Sequence, residues 1–465
     1  MRQNKVLSVF SLAMIAMAGI VNIRSFPMMA SMGLNLVFFY LLAGLFFLLP
    51  SALVCAELST MLPEAGGMYR WIKTAFGEGV GFIAIWTEWF NNVIGFPATI
   101  SFVTAAIAYI VAPHWAHSKF YMFGGMLLIT WSVTLFNLLG IKASSRLNMI
   151  GVVFGTLLPV VVIVILAIKW MIAGNPVQIH FSLAAFLPEM HFKSFAFFVG
   201  ALSSYAGMQI IAFHSQNVEK PNKTFPKAIL SSVTIILLIT ILGALAIAMV
   251  VPKNQLDLIN GMFDGFQIFL NQFHLAWLLP VLVGLIAISC ISGLSAWLLG
   301  PARGLVVAAQ QGLFPSWCAK ENKHGMPKNI LFLQAVIITA LSMLFIVMPN
   351  FNSAFWVLVV TTGQLTMIVY ILMFASIIRL RYSHSQAERP FKISGGLFGI
   401  WLIAGISILC SVAGFCSGFI PPDSVQISLK EYELIIIAGN AVYLLIPFLI
   451  YHYFTKHSLR RRLLG

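Results

Sequence analysis

Residues 6–32 are apolar enough to span a bilayer, yet their middle reads Gly19-Ile20-Val21-Asn22-Ile23-Arg24-Ser25-Phe26-Pro27. A guanidinium at bilayer depth costs at least roughly 2.5–3.5 kcal/mol unless it faces a polar cavity. Gly and Pro on either side weaken the helix and bare backbone N–H and C=O groups. Irregular backbone at that depth is tolerated only where it lines a cavity inside the protein, and bare amides there can bind an anion. A second stretch, Phe195–Phe213, gathers Gly200, Ser203, Ser204 and Gly207 at its centre. Small residues also serve close helix packing, so this cluster alone supports either reading. Interruptions in spans one and six are what an inverted repeat of spans 1–5 and 6–10 would give. Amides from one break and carbonyls from the other would then face an anion and an ammonium. That chemistry fits a zwitterion such as an amino acid.

The elements that must hold these breaks are membrane helices. Hydrophobic residues make up 60% of the chain, charged residues 9%, and mean hydropathy is +0.96, values outside the soluble range. Apolar runs recur near 6–32, 36–58, 80–112, 120–141, 148–172, 194–216, 227–251, 277–300, 329–348, 353–378, 396–419 and 432–454. Each is long enough to cross a hydrocarbon core about 30 Å thick. The expectation is an all-α integral membrane protein of twelve transmembrane helices. It is a 5+5 inverted repeat with helices 1 and 6 broken and two extra helices. Residues 1–465 form one polytopic domain, with repeats at 6–172 and 194–378 and the extra pair at 396–454. With the N-terminus inside, 21 of the 27 Lys and Arg fall on the inner side, five on the outer, and Arg24 within the membrane. This bias puts both termini in the cytoplasm. The net charge of +14 is spread over the inner segments, which argues against a nucleic-acid surface. The N-terminal run is too long for an h-region, so no cleavable signal peptide is expected.

Other chemistries find little support. Cys55, Cys290, Cys318, Cys410 and Cys416 show no metal-ligand spacing and lie mostly in or beside spans, so neither a metal, a cofactor nor a disulfide framework is expected. No paired-carboxylate or nucleophile–base constellation marks a membrane-embedded enzyme. No repeated filter or ring of like charge marks a channel. Glu88, in Trp86-Thr87-Glu88-Trp89, reads as a proton relay, a partner for Arg24, or an interfacial anion held by the tryptophans. Glu57 ends the second span and reads as a partner for cytoplasmic bases. Asn91 and Asn92 either face the cavity or bond between helices.

Three loop motifs carry a resemblance. Pro63-Glu64-Ala65-Gly66-Gly67-Met68-Tyr69-Arg70-Trp71, followed by Phe76-Gly77, resembles the loop after the second span of amino acid–polyamine–organocation transporters. Asn217 to Pro226, with Glu219, Pro221 and Pro226, resembles their turn after the sixth span. Gly312-Leu313-Phe314-Pro315, with Lys320 to Pro327, resembles their loop after the eighth. Leu36-Val37-Phe38-Phe39, Gly300-Pro301-Ala302-Arg303-Gly304, Phe391 to Gly396 and Pro421-Pro422-Asp423 are most similar to the bacterial glutamate/γ-aminobutyrate antiporter-like group.

The resemblance implies roles at matched positions. Ala18, Gly19, Ile20 and Val21 match an unwound segment whose amides bind the substrate carboxylate, and Asn22 and Arg24 adjoin it. Ser203, Ser204, Tyr205 and Ala206 match carbonyls for the α-amino group, beside Gly207. Trp297 matches a tryptophan on the substrate route, with core packing as its alternative. Tyr370 and Thr366 match tenth-span pocket positions. There are departures. Gly293 stands where acid-resistance glutamate antiporters carry a glutamate, Arg24 replaces a tyrosine, and Gln209 replaces a glutamate. A long C-terminal plug is not expected. No lysine or acid lies at the middle of the fifth span, which favours exchange over ion-driven uptake. The resemblance implies an amino-acid exchanger working by alternating access in a bacterial inner membrane. A proton-coupled permease of the same fold is the alternative. The expected partners are small amino acids and the lipid bilayer, with no nucleic acid; a homodimer is left open. Arg24 would either read an acidic or carbonyl-bearing side chain or brace the outer half-helix.

Overall fold

In hydrocarbon a helix satisfies every backbone group within its own segment, so the apolar runs become helices. The computed structural model describes residues 8–62, 67–140, 151, 153–187, 195–209, 220–422 and 425–464. The first run is split into α1 (Val9–Ile20) and α2 (Phe26–Ala30) by an extended Asn22 and a short 3-10 turn at Ile23–Ser25. Then come α3 (Asn35–Met61), the short amphipathic α4 (Gly67–Phe76), α5 (Glu78–Val111), α6 (Lys119–Asn137) and α7 (Val153–Ile172). The sixth run yields only the seven-residue α8 (Phe198–Ser204) among the described residues. The remaining long helices are α9 (Pro221–Val250), α11 (Leu279–Gln310), α12 (Lys328–Val347), α13 (Phe351–Ser383), α14 (Gly396–Ser417) and α15 (Leu429–Leu464). A short helix, α10 (Gly261–Gln272), sits between α9 and α11. Ten of these helices are long and apolar enough to cross a membrane. The second half of the sixth run at 210–216, the motif residues Pro63–Gly66 and Asn217–Glu219, Lys142, Arg146 and Asp423 lie outside the described residues.

Two boundaries differ from the sequence reading. Gly300-Pro301 does not end the eighth run, because α11 continues to Gln310 with Pro301 inside it; membrane helices tolerate an internal proline when neighbours take up the freed groups. The expected loop at 252–276 contains α10, whose Met262, Phe263, Phe266, Phe269 and Leu270 are buried.

α5 is the hub. It packs against α4, α6, α11, α12, α13 and α15, while α9 packs against α1, α2, α3, α7 and α10. Many large apolar side chains, such as Phe120, Leu128, Ile172, Leu409, Leu434 and Leu449, point outward and are exposed. Such a surface suits lipid rather than water. At the C-terminal end of α3, the buried Glu57 accepts from Arg381 Nη2 at 2.6 Å and from the Ile393 N–H at 2.8 Å, and lies 3.2 Å from Arg389 Nε. This clasp ties α3 to the end of α13 and the following loop, so Glu57 does pair with basic residues.

Candidate functional site

The two interruptions meet. α1 keeps helical bonding through Val21, whose N–H donates to Met17 O at 2.9 Å, and the chain leaves the helix at Asn22 (φ −125°, ψ 98°). Gly19 and Ile20 are therefore still helical, and the break begins at Val21–Asn22. α8 stops at Ser204, and residues 205–207 turn away from it. Gly207 has φ +131°, a value side-chain-bearing residues rarely adopt. A Cβ there would lie 2.6 Å from the Gly19 carbonyl oxygen. Only glycine permits so close an approach of the two backbones.

A cavity of about 220 Å³ opens at this crossing. Its walls come from the α1–α2 break, the end of α8, and α5, α7, α11 and α13. It collects thirteen of the predicted residues: Gly19, Ile20, Val21, Asn22, Arg24, Ser203, Ser204, Ala206, Gly207, Gly293, Trp297, Thr366 and Tyr370. Tyr205 lies outside; its buried ring points toward α9, where its hydroxyl pairs with Thr240 at 2.9 Å. The Ala18 side chain lies outside the described residues. Gly293 faces open space, since a Cβ there would meet nothing within 4 Å.

Glu88, Asn91 and Asn92 also face the cavity, so the reading of Glu88 as an interfacial anion is replaced by a cavity position. Gly95 and Thr99 follow on the same helix. Positions 88, 92, 95 and 99 share one face of α5, because three- and four-residue steps return to the same side. Arg24 Nη1 donates to Gly95 O at 3.3 Å and to the Thr99 hydroxyl. It forms no ion pair with Glu88; the ion pairs among the described residues lie elsewhere. Glu88 instead interacts with the Gln209 side chain. Tyr370 links the break to that pair: its hydroxyl accepts from the Gly207 N–H at 2.8 Å and donates to Gln209 Oε1 at 2.5 Å. Asn91 Nδ2 donates to Thr366 at 3.0 Å, joining α5 to α13.

The first turn of α7, Val153–Leu157, is wound as a π-helix, and Gly155 and Thr156 there line the cavity. Such turns recur at functional sites. Thr156 pairs with Ser289 of α11 at 2.6 Å. Gly95, Thr99, Gly155, Thr156, Ser289 and Thr362 were not singled out by sequence reasoning, and Cys290 was set aside there as a span residue. The Glu88-to-Thr99 spacing of polar and small residues along one apolar helix was a signal for some of them.

A family model described as amino acid permease matches residues 7–446. The chain belongs to the amino acid permease family. It is 39% identical over 447 residues to an uncharacterized transporter of Legionella pneumophila, covering 96% of each chain. It is 30% identical to a glutamate/gamma-aminobutyrate antiporter of Lactococcus lactis, covering 98% of this chain and 92% of that one. A branched-chain amino acid permease of the same species is 26% identical, with 81% and 86% covered. Family and relatives together make this a multi-pass membrane transporter of the amino acid–polyamine–organocation type, not an enzyme. Amino acids are its implied substrates.

Proposed function

We propose that this permease is an exchanger of amino acids, glutamate, γ-aminobutyrate or a related polar amino acid, working by alternating access. The observation that carries the reading is the contact of the two helix breaks, Gly19 against Gly207, at the wall of a polar cavity. Backbone amides at Asn22 to Arg24 would take the α-carboxylate, and carbonyls near Ser203 to Gly207 the α-ammonium. The ten long helices, with the α1–α2 and α8 breaks counted as two further crossings, make twelve. On this reading residues 6–172 and 194–378 are inverted repeats, 396–454 are additional, and both termini are cytoplasmic in a bacterial inner membrane. Counterflow tests it. Proteoliposomes preloaded with one amino acid should accumulate a labelled one from a panel of the twenty plus γ-aminobutyrate, ornithine and agmatine. Empty vesicles should stay near background.

Glu88 supports a second reading. A carboxyl group in the cavity with no cationic partner among the described residues is a candidate proton carrier. Uptake into empty vesicles driven by an imposed proton gradient, lost in Glu88→Gln, would favour a proton-coupled permease over an exchanger.

A further inference from the structure

A second, smaller cavity of about 80 Å³ lies beside the first. The two share Asn22, Arg24, Gly95, Ser203, Ser204, Thr362 and Thr366, so Arg24 stands at the boundary between them. Ser25, Met28, Gly200, Phe355 and Val359 close the smaller one.

The polar groups of this pocket divide sharply by hydrogen-bonding role. Arg24 carries five N–H donors and no acceptor. Among the described residues only its Nη1 is engaged, on Gly95 O and Thr99, both neutral. The hydroxyls around it have already spent their protons. Ser25 donates to Asn22 O at 2.7 Å, Ser203 to Val199 O at 2.6 Å, Ser204 to Gly200 O at 2.8 Å and Thr362 to Leu358 O at 2.7 Å. The Ser203 and Thr362 oxygens therefore keep lone pairs, not a proton, for the pocket, while those of Ser25 and Ser204 also meet the Tyr40 hydroxyl. The Asn22 side chain makes no hydrogen bond among the described residues and lines both cavities. The pocket thus offers one planar donor fork, a ring of acceptors, and the Asn22 amide, which can serve as either.

We infer that this pocket is a subsite for a carboxamide at the end of the substrate's side chain. The inference rests on the exchanger reading and narrows its substrate to glutamine-like amino acids. A carboxamide is the planar group that is acceptor at one end and two-proton donor at the other. Its carbonyl oxygen takes the Arg24 fork, and its NH₂ gives to the Ser and Thr oxygens. An apolar side chain of the same length leaves both halves of the pocket unpaired, which is the arrangement that discriminates most strongly. A carboxylate satisfies Arg24 but sets its second oxygen against lone pairs unless the hydroxyls give up their helix carbonyls or Asn22 turns its NH₂ toward it.

The test is counterflow of labelled glutamine in proteoliposomes, with competition by glutamate, norleucine and alanine at equal concentration. Glutamine should compete at least tenfold better than norleucine and better than glutamate. In Arg24→Lys, which keeps the charge but loses the fork, the half-saturating glutamine concentration should rise tenfold or more while alanine shifts less than threefold. Thr362→Val removes one acceptor in nearly the same volume and should weaken glutamine selectively by severalfold. Glutamine-induced thermal stabilisation of the detergent-solubilised protein reads the same contrast if a variant transports too slowly. A uniform loss across all amino acids assigns Arg24 to the scaffold and overturns the subsite. So does a wild type that prefers glutamate. Failure of every amino acid in the wild type overturns the exchanger reading itself, and the subsite with it.

Discussion

Replacing Gly207 by alanine tests whether the crossing of the two breaks is the working part of the cavity. The new Cβ would lie 2.6 Å from Gly19 O and 3.2 Å from Ile20 Cγ1, where ordinary contact begins at 3.4 Å, so something must move by about 0.8 Å. The atom in the way is backbone, and it belongs to the other break. Holding an alanine at φ +131° adds about 1–3 kcal/mol of backbone strain. Either route displaces the groups that would hold the substrate by close to an ångström, a misplacement worth up to roughly a hundredfold in rate at a preorganised site. The Gly207→Ala exchange rate should fall by roughly tenfold to a hundredfold. Insertion should change little and melting in detergent should fall no further than that strain explains, because α8 ends before this residue. Gly293→Ala is the paired control. It lines the same cavity, sits inside α11, and its added methyl meets nothing within 4 Å, so at least half of the wild-type rate should survive. Transport in Gly207→Ala within twofold of wild type would refute the argument. Equal damage in both variants would show that bulk, not the crossing, is what matters.

Three further outcomes follow from the geometry. Glu57→Gln leaves Arg381 and Arg389 facing a neutral amide in a site where all three side chains are nearly inaccessible; breaking such a buried cluster costs about 3–5 kcal/mol. Thermal inactivation in detergent should be clearly accelerated, and an unchanged half-life would sink the idea that the clasp is structural. Burial, aided by Asp257, holds the Asp264 carboxyl above its ordinary 3.8, while Tyr109 and His117 pull it down. Its stabilising contribution is then complete below 3.8 and is lost as pH rises through the folded-state value. Asp264→Asn should gain in melting temperature relative to wild type as pH is raised from about 4 to 7; a difference constant with pH contradicts this. Tyr370→Phe strips the acceptor from the Gly207 N–H and the donor from Gln209, leaving buried groups unmatched at about 1–3 kcal/mol. Exchange should slow while helix content is kept, and a wild-type rate would remove Tyr370 from the site.

Sequence told which residues line the cavity better than where the backbone turns. Arg24, Glu88, Asn91 and Asn92 were visible because a charge or amide inside an apolar run has few tolerable environments. The break at Val21–Asn22 was set a residue or two early, at Ala18–Val21. Glycine marks where a helix can part, but the residue at which it parts depends on the opposing chain, here Gly207 against the Gly19 carbonyl. Tyr205 came in with Ser203, Ser204 and Ala206 as a match to a carbonyl-bearing break; it does not line the cavity, and its side chain turns to Thr240. Thr99, Thr156, Ser289 and Thr362 were hidden for another reason. Hydroxyls in membrane helices commonly bond their own backbone, so only the packing of α5, α7, α11 and α13 reveals which of them face a cavity.

That packing also explains why two opposite charges in one cavity stay apart. The groups that hold Arg24, Gly95 and Thr99, lie seven and eleven residues beyond Glu88 on α5. At 1.5 Å per residue the separation along the helix is about 10–16 Å, too far for a direct pair. Each charge carries a desolvation cost that the protein leaves only partly offset, through Gly95 and Thr99 for one and Gln209 for the other. A ligand whose negative and positive ends lie well apart can relieve both at once and leave the cavity's net charge unchanged. A simple ion relieves one and aggravates the other. The α-carboxylate and α-ammonium of an amino acid share one carbon and cannot span that distance, so the charge layout bears on the far end of the substrate, while the helix breaks would grip its α-carboxylate and α-ammonium.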